Sequence, residues 1–438
     1  MTPAFLAFPI FALTWPPALP DGKSIVTGTD PNLLVPTETL RENVKIAKTG
    51  PTVDFLYYDC QTYEAEGGVW SHWGDGLVVG DIFYSAVGDH MSPGGNAFVY
   101  GYDSKTKKLT QLTDLRSILK QPDGHYTPGK IHSQIGLGKD GWLYFSTHRG
   151  STRIAFHPTA NFKGDWIVRY HPETKKSEVV AFAPLEMQCL PTGQLDPERL
   201  IFYAGTADGL KEKEPQFLAY DLRNRKVLAQ RDRGPARAMI QSKSNGCVYF
   251  HAEKSGAHQL LKFDPEKPGE FTPIDAEVGL RAATQESSKG KVYTIEKNSL
   301  WEFDVKTETA KLLGETAAAS RDYITSVDLC PATERYFYYV PGSHGGAQND
   351  GSPLIQYDLQ TGERKVICFL ADFCEKRAGF IPMGSYCSAV SEDGGTVFIT
   401  WMGNVGGPEK GRNGRPGKLK FNTNALTVVH IPESERQP

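Results

Sequence analysis

The sequence predicts an all-β fold, a single seven-bladed β-propeller built from four-stranded antiparallel blades. Three observations predict it. A strand-and-turn phrase recurs seven times, a second β-rich phrase precedes each copy, and the shortest repeat matches the length of one blade. No long amphipathic helical pattern stands out in the chain.

The first phrase is an apolar residue, one or two spacers, an aromatic residue, and then an Asp that opens a turn. His and Asn replace this Asp in two copies. The seven turn positions are Asp103, His171, Asp221, Asp264, Asp304, Asp358 and Asn422. Successive gaps are 68, 50, 43, 40, 54 and 64 residues, and a minimal unit of 40 fits a four-stranded blade. Asp followed by Lys, Thr, Gly or Asn is typical of hairpin turns.

The second phrase is a short run of β-branched and aromatic residues, which suit a pleated, half-buried strand. Its copies are residues 82–84, 143–145, 201–203, 248–250, 292–294, 336–339 and 397–399. A single blade cannot bury both of its faces, whereas radial packing buries both and leaves few free edges. We expect the C-terminal run 426–431 to close the ring by pairing with an N-terminal strand such as 53–58. Two independent β-domains are the alternative.

Length, composition and charge agree with one propeller domain over residues 20–438. The 44 Gly and 29 Pro suit many tight turns. The formal charge of −3 (48 basic minus 51 acidic residues) comes with no basic block, which excludes nucleic-acid binding as the main role. We expect no membrane partner and a monomer. The seven Cys residues form no CxxC zinc or redox motif.

The N-terminus gives a prediction of location. Residues 3–13 are an apolar run, too short to span a bilayer but long enough for the core of a signal peptide. We therefore interpret residues 1–19 as a signal peptide and the protein as secreted or periplasmic. If the run is instead a buried strand, the protein is cytoplasmic.

The longer repeats show where chain has been inserted. Insertions precede the first strand of blade two and separate the second and third strands of blades one, two, six and seven. Strand alternation brings all of these loops to one face of the disc. Long loops on a rigid scaffold are where function usually lies, so we expect the functional site at this face.

Polar residues cluster at the same face. Imidazole is a good base or metal ligand near neutral pH. We therefore consider His90, His132, His148 and His344 as ligands of a divalent metal such as Mn, Ca or Zn. Arg149 and Arg153 can hold a carboxylate, and Tyr126 can supply a phenol proton. The residues that we expect to contact a substrate are His90, Arg153, Gln188, Tyr203, Arg237, Glu253 and Tyr323.

The pattern His132, Asp140-Gly141, His148 resembles propeller-type polysaccharide lyases, including ulvan lyases and rhamnose–glucuronate lyases. More distantly, the motif Asp-Gly-x-Leu-Tyr-Phe at residues 140–145 is similar to sequences of virginiamycin B lyase and NHL-type propellers. The resemblance implies β-elimination on the uronate of an acidic oligo- or polysaccharide. His132 or His148 would act as base or acid, Arg149 as carboxylate partner and Tyr126 as second proton donor. Tyr203 and Arg237 are candidates for the Tyr and Arg that those lyases carry in a later blade.

Other functions remain open at this point. A non-catalytic propeller would bind a glycan or a protein through the same polar rim without turnover, because fold does not dictate function. A hydrolase with paired carboxylates is another alternative, through Asp89, Glu253 and Glu296.

Overall fold

The computed structural model describes residues 16–62, 68–91, 95–150, 154–207, 214–251, 257–407 and 418–437. Most of the predicted signal peptide lies outside this part of the chain. The described residues form seven β-sheets, each with four or five strands, which confirms the predicted seven-bladed propeller. None of the helices among them is long and apolar enough to cross a bilayer.

Three strands come before the first complete blade. They are β1 (Val26–Gly28), β2 (Lys45–Ile46) and β3 (Thr52–Tyr57).

The next four sheets follow the chain in order. Blade one is β4 (Leu77–Val79), β5 (Ile82–Gly88), β6 (Ala97–Asp103) and β7 (Lys108–Asp114). Blade two is β8 (Lys130–Ile131), β9 (Gly136–Leu137), β10 (Leu143–His148), β11 (Trp166–His171) and β12 (Lys176–Phe182). Blade three is β13 (Thr192–Asp196), β14 (Ile201–Gly205), β15 (Gln216–Asp221) and β16 (Lys226–Asp232). Blade four is β17 (Ile240–Gln241), β18 (Val248–Phe250), β19 (Ala257–Phe263) and β20 (Phe271–Gly279).

The last three sheets complete the ring. Blade five is β21 (Ala282–Ala283), β22 (Lys291–Glu296), β23 (Ser299–Asp304) and β24 (Thr309–Glu315). Blade six is β25 (Asp328–Leu329), β26 (Tyr336–Tyr339), β27 (Pro353–Asp358) and β28 (Arg364–Phe369), with β2 added in parallel outside β28. Blade seven is β29 (Phe380–Val390), β30 (Thr396–Val405) and β31 (Thr423–His430), followed outward by β3 and β1.

Blade seven joins the two ends of the chain. β3 pairs antiparallel with β31 in an unbroken register from Thr52↔His430 to Tyr57↔Ala425. The predicted closure of 426–431 on an N-terminal strand is therefore confirmed. Because the ring closes by this pairing, neither β3 nor β31 is left as a free edge.

The core lies between neighbouring blades, and the second sequence phrase supplies much of it. Phe83 of blade one stacks on Phe398 of blade seven, with ring centroids 5.0 Å apart. Phe217 of blade three stacks on Phe250 of blade four at 4.8 Å. Aromatic pairs at these separations add to the free energy gained from burying their surface, so these two interfaces between blades are stabilised by strands that the repeat predicts.

The Asp residues of the first phrase stabilise hairpin turns, as predicted. The Oδ1 atom of Asp103 accepts hydrogen bonds from the backbone N–H groups of Lys105 and Thr106, at 2.9 and 3.1 Å. Asp304 makes the same two contacts with Lys306 and Thr307. These tight turns lie at the end of the disc opposite the long loops.

Helix is a minor component of the fold. α1 (Leu115–Leu119) lies in the predicted insertion before blade two, and α2 (Ala371–Ala378) connects blades six and seven. Short 3-10 turns occupy Pro20–Gly22, Pro31–Leu34, Asp59–Thr62, Ile154–Phe156, Pro158–Ala160, Ala347–Asp350 and Glu433–Glu435. All seven Cys residues are buried free thiols.

Candidate active site

Trp73 lies at the centre of the loop-rich face. Its ring contacts side chains from several blades: His90 at 5.1 Å, His132 at 6.4 Å, His344 at 5.6 Å and Tyr386 at 4.6 Å between centroids. The Nζ atom of Lys130 lies 5.0 Å from the same ring, a cation–π contact. The structure therefore brings three of the predicted histidines together around one indole that the sequence pattern did not single out.

His132 is placed in the channel by an interruption of the innermost strand of blade two. β8 pairs with the end of β10 and β9 with its start, and residues 132–135 lie between the two pairings. The Oγ atom of Ser133 accepts a hydrogen bond from the backbone N–H of Ser146 at 2.8 Å, in place of a strand partner. The N–H groups of Gln134 and Ile135 donate to blades three and one. These bonds satisfy the interrupted backbone, so His132 is held out of the strand ladder.

The surroundings of His132 fix its tautomer. The Nδ1 atom lies 3.0 Å from the carbonyl oxygen of Pro191. A carbonyl only accepts, so Nδ1 carries the proton and Nε2 keeps its lone pair. Burial lowers the pKa of His132 well below its usual value, and the positive charges of Lys130, Arg237 and Arg281 lower it further, as does His148. His132 is therefore a neutral imidazole with Nε2 available as a base.

Two arginines border the same space. Arg237 donates from Nη1 to the carbonyl of Ala236 at 3.0 Å, and Arg281 donates from Nε to the hydroxyl of Tyr323 at 2.8 Å. Neither forms an ion pair with a carboxylate in the part of the chain that the structure describes. Arg281 is only 9% exposed. A charge removed from water is costly unless it is paired, so the surroundings of Arg281 favour an anionic ligand, and the exposed Arg237 adds a second positive charge at the same wall.

Two phenols stand beside the arginines. Tyr386 lies where the register of β29 shifts twice, between Pro382 and Gly384 and between Gly384 and Cys387. Such bulges re-aim side chains, and here Tyr386 reaches the channel 5.9 Å from His132 between ring centroids. The guanidinium of Arg281 lies 5.2 Å from the ring of Tyr323 and 5.7 Å from that of Tyr386. Burial raises the pKa of Tyr386, so its hydroxyl stays protonated.

These groups surround a cavity on the axis of the propeller, which we call the upper cavity. All seven blades contribute to its wall. Its polar lining includes His132, Gln134, Arg237, Arg281 and Tyr386. Asp75 is the one carboxylate among the described residues of this wall. The upper cavity therefore brings a neutral base, a phenol and two guanidinium groups together around one space.

The other predicted histidines lie around the upper cavity. His148 is buried beside His132, with ring centroids 5.8 Å apart. His90 packs on Trp70 as well as Trp73, and His344 packs on Tyr323 at 4.6 Å. Among the described residues, no three His, Cys, Asp or Glu side chains are grouped so that they could hold a metal ion. His90, His132, His148 and His344 pack as rings against aromatic neighbours and do not fit a ligand set, so the metal stays a prediction.

Several predicted residues lie away from the upper cavity. Tyr126 is buried, and its hydroxyl donates to Oδ1 of Asp165 at 2.9 Å. Arg149 donates to the carbonyl of Gly150 and lies over the ring of Phe156. Tyr203 is buried between Phe217 and Phe263.

Gln188 is also buried, and it does not line the upper cavity. Arg153 and Glu253 fall outside the residues that the structure describes. The structure thus does not group Tyr126 or Arg149 with the upper cavity, and the corresponding functional groups there are Tyr386, Arg237 and Arg281.

Arg281 and Tyr386 were missed by the sequence pattern for identifiable reasons. Blade five begins at Ala282, so the residue at the upper end of its first strand is Arg281. In β29 the double bulge breaks the alternation on which a prediction of inward-facing residues depends. The sequence did contain a signal for Arg281: it immediately precedes two small residues, Ala282 and Ala283, that form the short first strand.

Comparison with known proteins identifies the fold alone. No protein-family model and no curated protein matches the chain. The chain is similar to one in the crystal structure of the mitotic checkpoint complex, with 11% identity and a TM-score of 0.51 over 91% of this chain and 96% of that one. It is also similar to one in the crystal structure of Chaetomium thermophilum Sqt1 bound to the N-terminus of the ribosomal protein L10, with 11% identity and a TM-score of 0.50 over 87% and 90%.

Proposed function

We propose that the protein is a lyase that cleaves a uronate-containing glycan by β-elimination in the upper cavity. One observation supports this above all: a neutral imidazole with its Nε2 lone pair available lies beside two guanidinium groups that lack a carboxylate partner among the described residues. A carboxylate-bearing substrate supplies the missing charge, and the proton next to that carboxylate is the one a base must remove.

The proposed roles follow from the chemistry of elimination. Arg237 and Arg281 bind the uronate carboxylate and stabilise the negative charge that develops when the C5 proton leaves. The Nε2 atom of His132 takes that proton as general base. The O–H of Tyr386 gives a proton to the glycosidic oxygen as the C4–O bond breaks. The electron pair of the C5–H bond forms the C4–C5 double bond, so the products are an unsaturated uronate and a new sugar hydroxyl.

The test is ultraviolet absorbance on mixing the protein with a panel of uronate-containing polysaccharides, with neutral polysaccharides as controls. We expect absorbance from the unsaturated uronate to rise with the acidic glycans only. Repeating the assay with a chelator tests whether a metal contributes. A flat trace across the panel, with acidic glycan still bound, would overturn the lyase and favour a non-catalytic glycan-binding propeller.

The role of Arg237 gives a more specific prediction. Arg237→Met removes one charged contact to the carboxylate, and such contacts contribute about 1.5–3 kcal/mol, so kcat/KM should fall roughly 10- to 150-fold. Arg225→Met is the matched control, because Arg225 lies on a hairpin at the opposite end of the disc and pairs with Glu178 at the surface. Steady-state kinetics on the best substrate of the panel measures kcat/KM for both variants. Equal kcat/KM values for Arg237→Met and Arg225→Met would exclude Arg237 from the site.

A further inference from the structure

The channel through the propeller contains a second, larger space below the upper cavity. This lower cavity is also lined by all seven blades. Four residues belong to the walls of both cavities: Asp75, Gln134, Gln194 and Ala283. The two cavities therefore adjoin at the level of these four residues, and Asp75 is the titratable group among them.

The two cavities differ in charge. Arg237 and Arg281 line the upper cavity, whereas the described wall of the lower cavity includes Asp328, Glu286, Glu334 and Glu392 with Lys243 as its cation. An anionic glycan is attracted to the upper cavity and repelled from the lower one. The lower cavity thus stays accessible to water and protons when a glycan covers the upper opening.

Each neighbouring element presents a group to Asp75. Gln134 of blade two donates from Nε2 to Oδ2 at 3.4 Å. Ser326 and Asp328 of blade six, and Arg281 of blade five, also act on its carboxyl group. The Sγ atom of Cys387 in blade seven accepts a hydrogen bond from the backbone N–H of Gly76, the residue after Asp75, at 3.1 Å.

These surroundings bring the pKa of the Asp75 carboxyl group close to neutral pH. Burial raises the pKa of Asp75 to about 7, Asp328 adds to the rise, and the hydrogen bonds and Arg281 oppose it. Burial also raises the pKa of Asp328 to about 6. Both carboxyl groups can therefore gain and lose a proton in the range where an elimination enzyme works.

We propose that Asp75 is a proton-relay residue that passes the proton taken from the substrate out of the upper cavity into the lower one. The inference rests on the proposed function. After elimination, His132 holds the C5 proton and Tyr386 has lost its own. The His132 imidazolium returns to neutral by giving its proton through cavity water to the Asp75 carboxylate. Asp75 then releases that proton to water in the lower cavity, on the side of Asp328. Tyr386 regains a proton from solvent when the product leaves the upper opening.

The test is Asp75→Asn, which keeps the shape of the side chain and cannot carry the proton. We expect kcat to fall roughly tenfold with KM unchanged, and a small diffusible base such as imidazole to restore part of the rate. Asp75→Glu should keep most of the activity, because it retains a carboxyl group. Glu277→Gln is the control, because Glu277 is exposed on β20 of blade four and should leave the kinetics unaffected.

Three results distinguish a proton relay from a purely electrostatic role of Asp75. A change in KM alone would make Asp75 a counter-charge for Arg281 and overturn the relay, as would an unchanged kcat in Asp75→Asn. If Asp75→Asn unfolds, carbon-13 NMR of the wild type decides, because a relay requires Asp75 to titrate between about pH 6 and 8. If the wild-type protein shows no elimination, the proposed function itself is overturned. The wild-type assay is therefore done before any variant is made.

Discussion

His132→Gln should lower kcat by roughly 100- to 10,000-fold, the contribution typical of a positioned general base. The glutamine amide can still donate a hydrogen bond to the carbonyl of Pro191, as Nδ1 of His132 does at 3.0 Å, but it has no basic lone pair. We therefore expect the fold and the substrate affinity to persist while proton removal fails. Single-turnover kinetics on the wild-type substrate measures the effect directly.

The matched control is His171→Gln, because His171 lies at the β11–β12 hairpin, at the far end of blade two, and packs on Trp142. It should keep wild-type rates. Thermal unfolding of both variants separates a chemical loss from a structural one. If His132→Gln unfolds with the loss of activity, or if both variants lose activity equally, His132 is not the base.

The pH profile provides an independent check on the same residue. A protonated His132 cannot accept the C5 proton, so kcat/KM falls as the pH drops through the pKa of His132. Burial and the surrounding cations hold that pKa well below 6.5. The acid limb of the kcat/KM profile should therefore lie below pH 6.5. An acid limb above pH 7 would assign the base to another group.

Phe55→Ala should destabilise the propeller by about 3–5 kcal/mol, the cost of removing a fully buried aromatic ring. Phe55 is 0% exposed in β3 and packs on Tyr57 and Phe380 at 5.1 and 5.4 Å. The substitution weakens the strand that closes the ring, so loss of packing and loss of closure act together. Chemical denaturation followed by tryptophan fluorescence measures the change in unfolding free energy.

Val35→Ala is the comparison for this experiment, since Val35 is 56% exposed and its truncation should change stability by no more than about 0.5 kcal/mol. A wild-type denaturation midpoint for Phe55→Ala would mean that closure through β3 contributes little, and that the other six blades determine stability.

The repeat made the architecture predictable from the sequence. Each blade is specified locally by residues such as Asp304, which forms its turn, and Val292, which packs in its core. Closure was predictable for the same reason, because the run 426–431 has the alternation of a strand and the last blade lacks a partner from within the repeat. The helix α2 was not predicted, since its eight residues carry only a short amphipathic pattern and are fixed by packing of Phe373 and Cys374.

The site was predictable only where a side chain lies close to the first strand of its blade. Arg237 precedes the short first strand of blade four, and His132 directly follows β8, so counting along the blade brings both near the channel. Tyr126 has the right chemistry, but the buried carboxyl of Asp165 binds its hydroxyl, and no sequence spacing reports that contact. Tyr386 depends on a double bulge, whose geometry is set by tertiary contacts and not by local residue type.

The pairing of β3 with β31 also governs how the protein is made. β3 is translated early, yet its partner emerges only after all the intervening blades, on the order of tens of seconds later. During that time Val53 and Phe55, both fully buried in the finished ring, have β1 on one side and no partner strand on the other. We expect the nascent chain to depend on chaperones through this interval, and its yield to respond to the speed of translation more than to the stability of the completed protein.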